Sequence, residues 1–316
     1  MNRRRIQLIA GMTYSLSLPK QWVLKNNLKE KDEVAVYEKG DRTLLISPDV
    51  PESKKPNQVR LNIDEYSGNV AQVLFAVYYL GVENIVVFSK KEMNKEARSQ
   101  IKRVLQYMSG TEIENEDKQH ISIKVFLDKS KVDIIQILYR ITLIIELSIN
   151  CFVENVDITE IRNNENEIDR LYHLITKIIT LSLIDSNILH SSKINNVLSI
   201  PSFLLIGKKL ENTADSIAYL AEYCKTSKID FENKKEMLVI LRDEINRSIS
   251  HILKGYPSIF NKINSNNLRM LNNHANKIRD KRVNDYLRDL IRYLIDIQQE
   301  IVNLSFYNSI EKNTLF

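Results

Sequence analysis

The sequence is short of everything that punctuates or staples a chain. Seven glycines and six prolines in 316 residues leave few sites for left-handed turns and rigid breaks, so most of the chain reads as regular structure. Only two cysteines occur, Cys151 and Cys224, each inside an apolar helical pattern. Two thiols cannot frame a fold of this length, and no secretory signal is expected ahead of the first strand, so a disulfide-built extracellular protein is not expected. The five histidines are scattered. Neither a Walker-type glycine loop nor Gly-x-Ser-x-Gly is present. Ferritin-like di-metal bundles use Glu-x-x-His pairs, whereas here the nearest histidine, His173, stands four residues past Asp169. His190, His251 and His274 read as surface or packing residues, and no enzyme is expected. A long hydrophobic run free of charge is also missing. The most apolar stretch, 132–149, carries Asp133, Arg140 and Glu146, too many charges for a lipid-spanning helix. It reads as a buried bundle helix, with no membrane insertion and a cytoplasmic location expected.

What remains is 43% hydrophobic and 27% charged, the mixture of a soluble globular protein, with room for two or three domains. The net charge of +5 is unevenly placed. Arg3, Arg4 and Arg5 open the chain together, a cluster suited to nucleic acid or another anionic surface or to a solubilising tail.

Residues 6–10 and 13–18 are short β-prone runs, and Pro19 suits the first turn of a short helix through Lys20, Trp22 and Val23. Two more strands are expected over 33–37 and 43–46, separated by a turn at Lys39-Gly40-Asp41. Pro48, Pro51 and Pro56 mark a linker. Four strands and a helical turn bury too little to fold alone, so residues 1–50 imply a dimer, with Trp22 as a core anchor. Residues 5–48 resemble the swapped-hairpin DNA-binding domain of the AbrB, MazE and SpoVT group. The resemblance rests on the strand from Gln7, on Leu18-Pro19-Lys20, on Trp22-Val23, and on Leu28 to Val34. That family has Gly-Asp where this chain has Lys31-Asp32. The resemblance implies a homodimer that meets DNA through Arg3, Arg4, Arg5 and Lys20.

A second unit, 62–128, reads as a small α/β insert: helices over 70–80 (ending at Gly81) and 95–108, and strands over 84–88 and 121–127. Nothing in it looks catalytic. From residue 130 to 310 the chain is nearly all helix. Ile134, Leu138, Ile141, Ile145 and Ile149 define a first buried face, and further helices are expected over 164–189, 202–225 and 232–253, with two more in the last sixty residues. Long helices with short connections make an antiparallel bundle. Glu165 and Asp169 are one turn apart on one helix, and Glu211 and Asp215 are one turn apart on the next. All four sit opposite the apolar stripes. They are either ordinary solvated acids or oxygen ligands shared across two helices by a hard or borderline cation.

Asn166 to Leu171 and Leu210 to Ala221 resemble the second and third helices of a phosphate-uptake regulator (PhoU) repeat. That resemblance implies divalent or iron-type metal ions on Glu165, Asp169, Glu211 and Asp215. Asn212 and Ser216 stand where the family has Arg and His. A degenerate second repeat covers 235–306, with Arg292, Asp296, Glu300 and Asn303 as remnants and Asn272, Asn273, His274 and Asn276 in place of an acid pair. No metal is placed there. The whole order (swapped-hairpin domain, α/β insert, PhoU-like bundle) resembles archaeal phosphate-uptake regulators. The expected fold is mainly α and multidomain. The expected function is a DNA-binding transcriptional regulator of phosphate homeostasis with the helical domain as sensor. The alternative is a signalling adaptor that docks on a phosphate transporter or sensor, with the β domain serving only dimerisation.

Overall fold

The computed structural model describes residues 4–9, 12–38, 43–48, 58–66, 68–154, 156–194, 196–229, 235–263 and 265–311. The chain divides into two compact units, Met1–Lys55 and Pro56–Phe316. Arg3, the 39–41 turn and most of the proline-marked linker lie outside the described residues.

Among its described residues the first unit has two antiparallel strand pairs and one short helix. Strand β1 (Gln7–Ile9) pairs antiparallel with β2 (Thr13–Ser15), Gln7 opposite Ser15. Strand β3 (Ala35–Glu38) pairs antiparallel with β4 (Leu44–Ser47), Ala35 opposite Ser47. Between them lies α1 (Lys20–Lys25). Pro19 precedes α1 as its extended N-cap, and its carbonyl accepts the amides of Trp22 and Val23. The turn ahead of β3 holds Lys31 at φ 74°, while the Asp32 carboxylate accepts the Lys29 amide at 2.7 Å. A left-handed residue at this point explains why a glycine suits it. No described side chain of this unit is buried, and Ile6, Leu8, Ile9, Tyr14, Leu24, Val36 and Leu44 are all more than half exposed. Trp22 is half-buried rather than enclosed in a core.

The second unit opens with a four-stranded sheet ordered β5-β6-β8-β7. Strand β5 (Gln58–Asn62) runs parallel to β6 (Asn84–Phe88), with α2 (Val70–Tyr79) making the crossover. Helix α3 (Lys95–Leu105), capped by the Asn94 side chain, leads to β7 (Thr111–Glu116), which hairpins to β8 (His120–Val125). Strand β8 buries alternate residues, as a strand with one covered face must. Leu74, Tyr78, Ile85, Val87, Ile101 and Ile123 form this region's core. Strands β5 and β7 were not expected. Gln-Val-Arg-Leu-Asn offers two apolar residues, and Thr-Glu-Ile-Glu-Asn-Glu offers one. Both are sheet edges, where charge is tolerated because it blocks further pairing.

Among the described residues seven α-helices follow: α4 (Ile134–Glu154), α5 (Ile158–Ser182), α6 (Ser186–Ser191), α7 (Ile200–Thr226), α8 (Lys235–Leu253), α9 (Ser265–Asn276) and α10 (Lys281–Glu311). The helix expected over 164–189 is two. Asp157 starts α5 earlier by accepting the amides of Thr159 and Glu160, and Asp185 breaks the run by capping α6. Side-chain caps of this kind satisfy amides that a helix start leaves bare. Helix α4 is long and apolar enough by composition to cross a membrane. It instead packs on α5, α7 and α8, burying Leu138, Ile141, Ile145 and Phe152. Helix α7 lies against α4, α5 and α10 and buries residues on nearly every side, Leu210, Glu211, Ala214, Ser216 and Leu220 among them.

Candidate metal centre

Helices α5 and α7 pack side by side, and the acids of both face the seam between them. Carboxylate oxygens of Glu165, Asp169 and Asp215 all lie within 4.8 Å of one another. Glu211 stands one turn before Asp215, is only 9% exposed, and accepts a 2.6 Å ion pair from Lys208. The four-residue spacing predicts these side chains on a face turned away from the core, and the structure differs there. The face opposite the apolar stripe of α7 is covered by α5, so the acids are half-buried or buried rather than solvated.

Confinement changes their chemistry. Burial, then the negative charge of Glu165, Asp215 and Glu211, pushes Asp169 up to about 7. Burial and the Asp215 charge raise Glu165, and burial raises both Asp215 and Glu211, the latter against the pull of Lys208. Glu165, Asp169 and Asp215 crowd like charges into one seam, a repulsion that either a proton or a cation between them relieves. Three convergent oxygens at this separation suit a hard cation with metal–oxygen distances of about 2.0–2.6 Å. The donor set thus fits a divalent or iron-type ion.

Fixed cations flank the cluster. Arg162 lies 3.7 Å from Glu165, pairs with Glu222 at 2.5 Å, and covers the Tyr219 ring. The α/β region also meets α5, through α2. The Tyr79 hydroxyl, at the end of α2, bonds His173 Nδ1 on α5, and the imidazole stacks on Phe75 at 3.8 Å. Burial and the nearby Lys208 charge depress His173 to about 4, so it stays neutral at physiological pH. The Tyr107 hydroxyl, in the turn after α3, donates to Asn166 Oδ1 at 2.5 Å. Burial and the charges of Asp169 and Glu165 raise that phenol. Tyr79, Tyr107 and Arg162 were not picked out from the sequence, and Asn166 was named only as part of the PhoU-like stretch. Tyr107 and Asn166 are 59 positions apart, and nothing in either neighbourhood links them.

Residues 235–306, expected to form a degenerate second repeat, hold no comparable cluster among the described residues. Asp296 is paired with Lys209 at 2.7 Å, and Glu300 accepts from the Ser202 hydroxyl at 2.7 Å. Glu244, buried on α8, is met by Arg247 at 2.7 Å and by the amide groups of Gln298 and Asn267. These carboxylates already have protein partners. In the first unit, Arg4, Arg5 and Lys20 are exposed, as contacts to an anionic surface require.

Residues 134–224 match the PhoU domain family. The PhoU match starts at the first residue of α4 and ends in the last turn of α7, so it takes in all four acids and leaves α8, α9 and α10 outside. Residues 7–56 match the family described as antidote-toxin recognition MazE, bacterial antitoxin, which covers both hairpins and α1. Neither a curated protein nor a solved structure matches the chain significantly.

Proposed function

We propose that this chain is a DNA-binding regulator of phosphate homeostasis, working as a homodimer through its first unit and sensing through its PhoU domain. One observation carries the reading: a MazE-like domain at 7–56 and a PhoU domain at 134–224 occur in a single chain. The exposed apolar side chains of the first unit are what a second copy would cover. Arg4, Arg5 and Lys20 supply phosphate contacts, which give affinity and register but not sequence preference. Arg3 belongs with them by its position in the chain. Glu165, Asp169 and Asp215 hold the cation, and Lys208 holds Glu211 beside them. A bound divalent or iron-type cation supplies positive charge where the chain has concentrated negative charge, and an inorganic phosphate could then bind to it. Regulation requires two states of the PhoU domain that hold the DNA-binding dimer differently. The role is regulatory, with no catalytic step assigned.

The test is DNA capture from genomic fragments across a salt series, with the native chain and the Arg4→Ala/Arg5→Ala/Lys20→Ala variant. The native chain should enrich one motif and lose affinity steeply with salt. The variant should bind more weakly, with a salt slope lower by about 0.9 for each DNA phosphate it no longer neutralises. Failure of the native chain to bind above background would remove the DNA reading. It would turn attention to docking on a phosphate transporter or sensor protein.

A further inference from the structure

The α/β region does not merely sit beside the carboxylate seam; it contributes one of its walls. Two hydroxyls reach from it to α5, and they bracket Asp169. Tyr107 meets Asn166, the residue after Glu165, and Tyr79 meets His173, one turn past Asp169. Both ends of this bracket are held firmly. Asn166 also donates its amide to the Arg162 carbonyl at 2.8 Å, so its Oδ1 is aimed outward at the phenol. The Tyr107 turn is pinned from beneath by buried Met108 and by Tyr78, whose hydroxyl donates to the Ser109 carbonyl at 3.0 Å. Within the α/β region, the Ser89 hydroxyl and the Lys90 amide both donate to the Asp64 carboxylate, tying the end of β6 to the turn after β5.

Building on the cation reading above, we propose that Tyr107 is a positioning residue for the carboxylate cluster, so that ion loading and the seating of the α/β region on α5 are one equilibrium. The physical link is short. Tyr107 fixes the Asn166 side chain and with it the α5 turn that carries Glu165 and Asp169. Ligand carboxylates held in place bind an ion more tightly than carboxylates that must first be ordered. Coupling of this kind is reciprocal: if seating favours the ion, the ion favours seating by the same factor. The burial-raised phenol agrees with this placement, since Asp169 and Glu165 act on it directly.

The experiment uses the full chain, with manganese(II) chloride as the probe in isothermal titration and hydrogen exchange followed over residues 100–112. Four proteins are compared: native, Tyr107→Phe, Asn166→Ala and Asp169→Asn. Phenylalanine keeps the ring that lies edge-on to His173. Asn166→Ala cuts the same link from the other side, at the α5 end of a solvent-exposed hydrogen bond, which guards against a folding defect in either variant. The expected result is manganese binding by the native chain, weakening by about tenfold in both link variants, and none in Asp169→Asn. Manganese should also slow exchange at 100–112 in the native chain and not in Tyr107→Phe. Native affinity in both link variants, or exchange at 100–112 indifferent to manganese, overturns the coupling while leaving the cation site standing. No manganese binding by the native chain overturns the cation site, and the coupling falls with it.

Discussion

Asp169 is the residue whose state decides most. With a folded value near 7 against an unfolded value near 3.8, the native chain without ion keeps a proton there that the unfolded chain has released. Stability from this group is therefore fully present below about 4 and is lost as pH rises through about 7. Glu165, Asp215 and Glu211 are raised in the same direction. In chelator, the chain should thus melt lower at pH 8 than at pH 5.5, and saturating manganese should reverse the order. Asp169→Asn should abolish that ion effect and raise the stability of the chelated chain at pH 8 by about 1 kcal/mol. A melting temperature indifferent to both pH and manganese would count against the cluster. The four acids were legible in the sequence because a spacing of four fixes their relative direction on a helix. Their burial was not, since periodicity names the stripe that faces the core and says nothing about what covers the other side. The Lys31 position was half legible: a family glycine replaced by lysine marked the spot, and the left-handed φ of 74° gives the reason.

Among the elements, the join between α2 and β6 carries the α/β region onto the bundle. Gly81, just past the α2 C-cap, has φ 78°, and a Cβ there would stand 2.8 Å from Leu181 Cδ2. Leu181 is fully buried on α5 and cannot swing aside cheaply. Gly81→Ala should cost about 2 kcal/mol through left-handed backbone strain and overpacking together. Chemical denaturation would show it, and a midpoint equal to that of the native chain would refute the close approach. Sequence periodicity placed α2, α3, β6, β8 and the long helices because each buries one regular stripe. Strands β5 and β7 escaped because edge strands need only one or two inward residues. The division of α5 from α6 escaped because apolar Leu183 and Ile184 continue the helical pattern while remaining exposed. There the Asp185 cap, not the hydrophobic rhythm, decides where one helix stops and the next begins.

At the scale of the molecule, the two units differ in how they bury apolar surface. The second has continuous cores in its sheet and its helices; the first leaves Leu8, Ile9, Val36 and Leu44 in water. A second copy supplying the missing cover is the economical answer. Light scattering should give a dimer for the native chain. Leu8→Glu with Val36→Glu should shift it toward monomer and weaken DNA capture by at least tenfold. A monomeric native chain would sink this expectation. The order of parts along the chain was readable because composition changes at each boundary. The bracing of the carboxylate seam by the α/β region was not, because it depends on pairs far apart in sequence. That same remoteness bears on how the protein is made. Helix α7 meets α10 through Ser202 and Glu300, 98 residues apart, and through Lys209 and Asp296. A ribosome adding about 5–20 residues per second finishes α7 on the order of ten seconds before α10 is complete. For that interval the chain carries its central helix with one flank bare, and whatever handles nascent chains in the cell must hold it soluble until the last helix arrives.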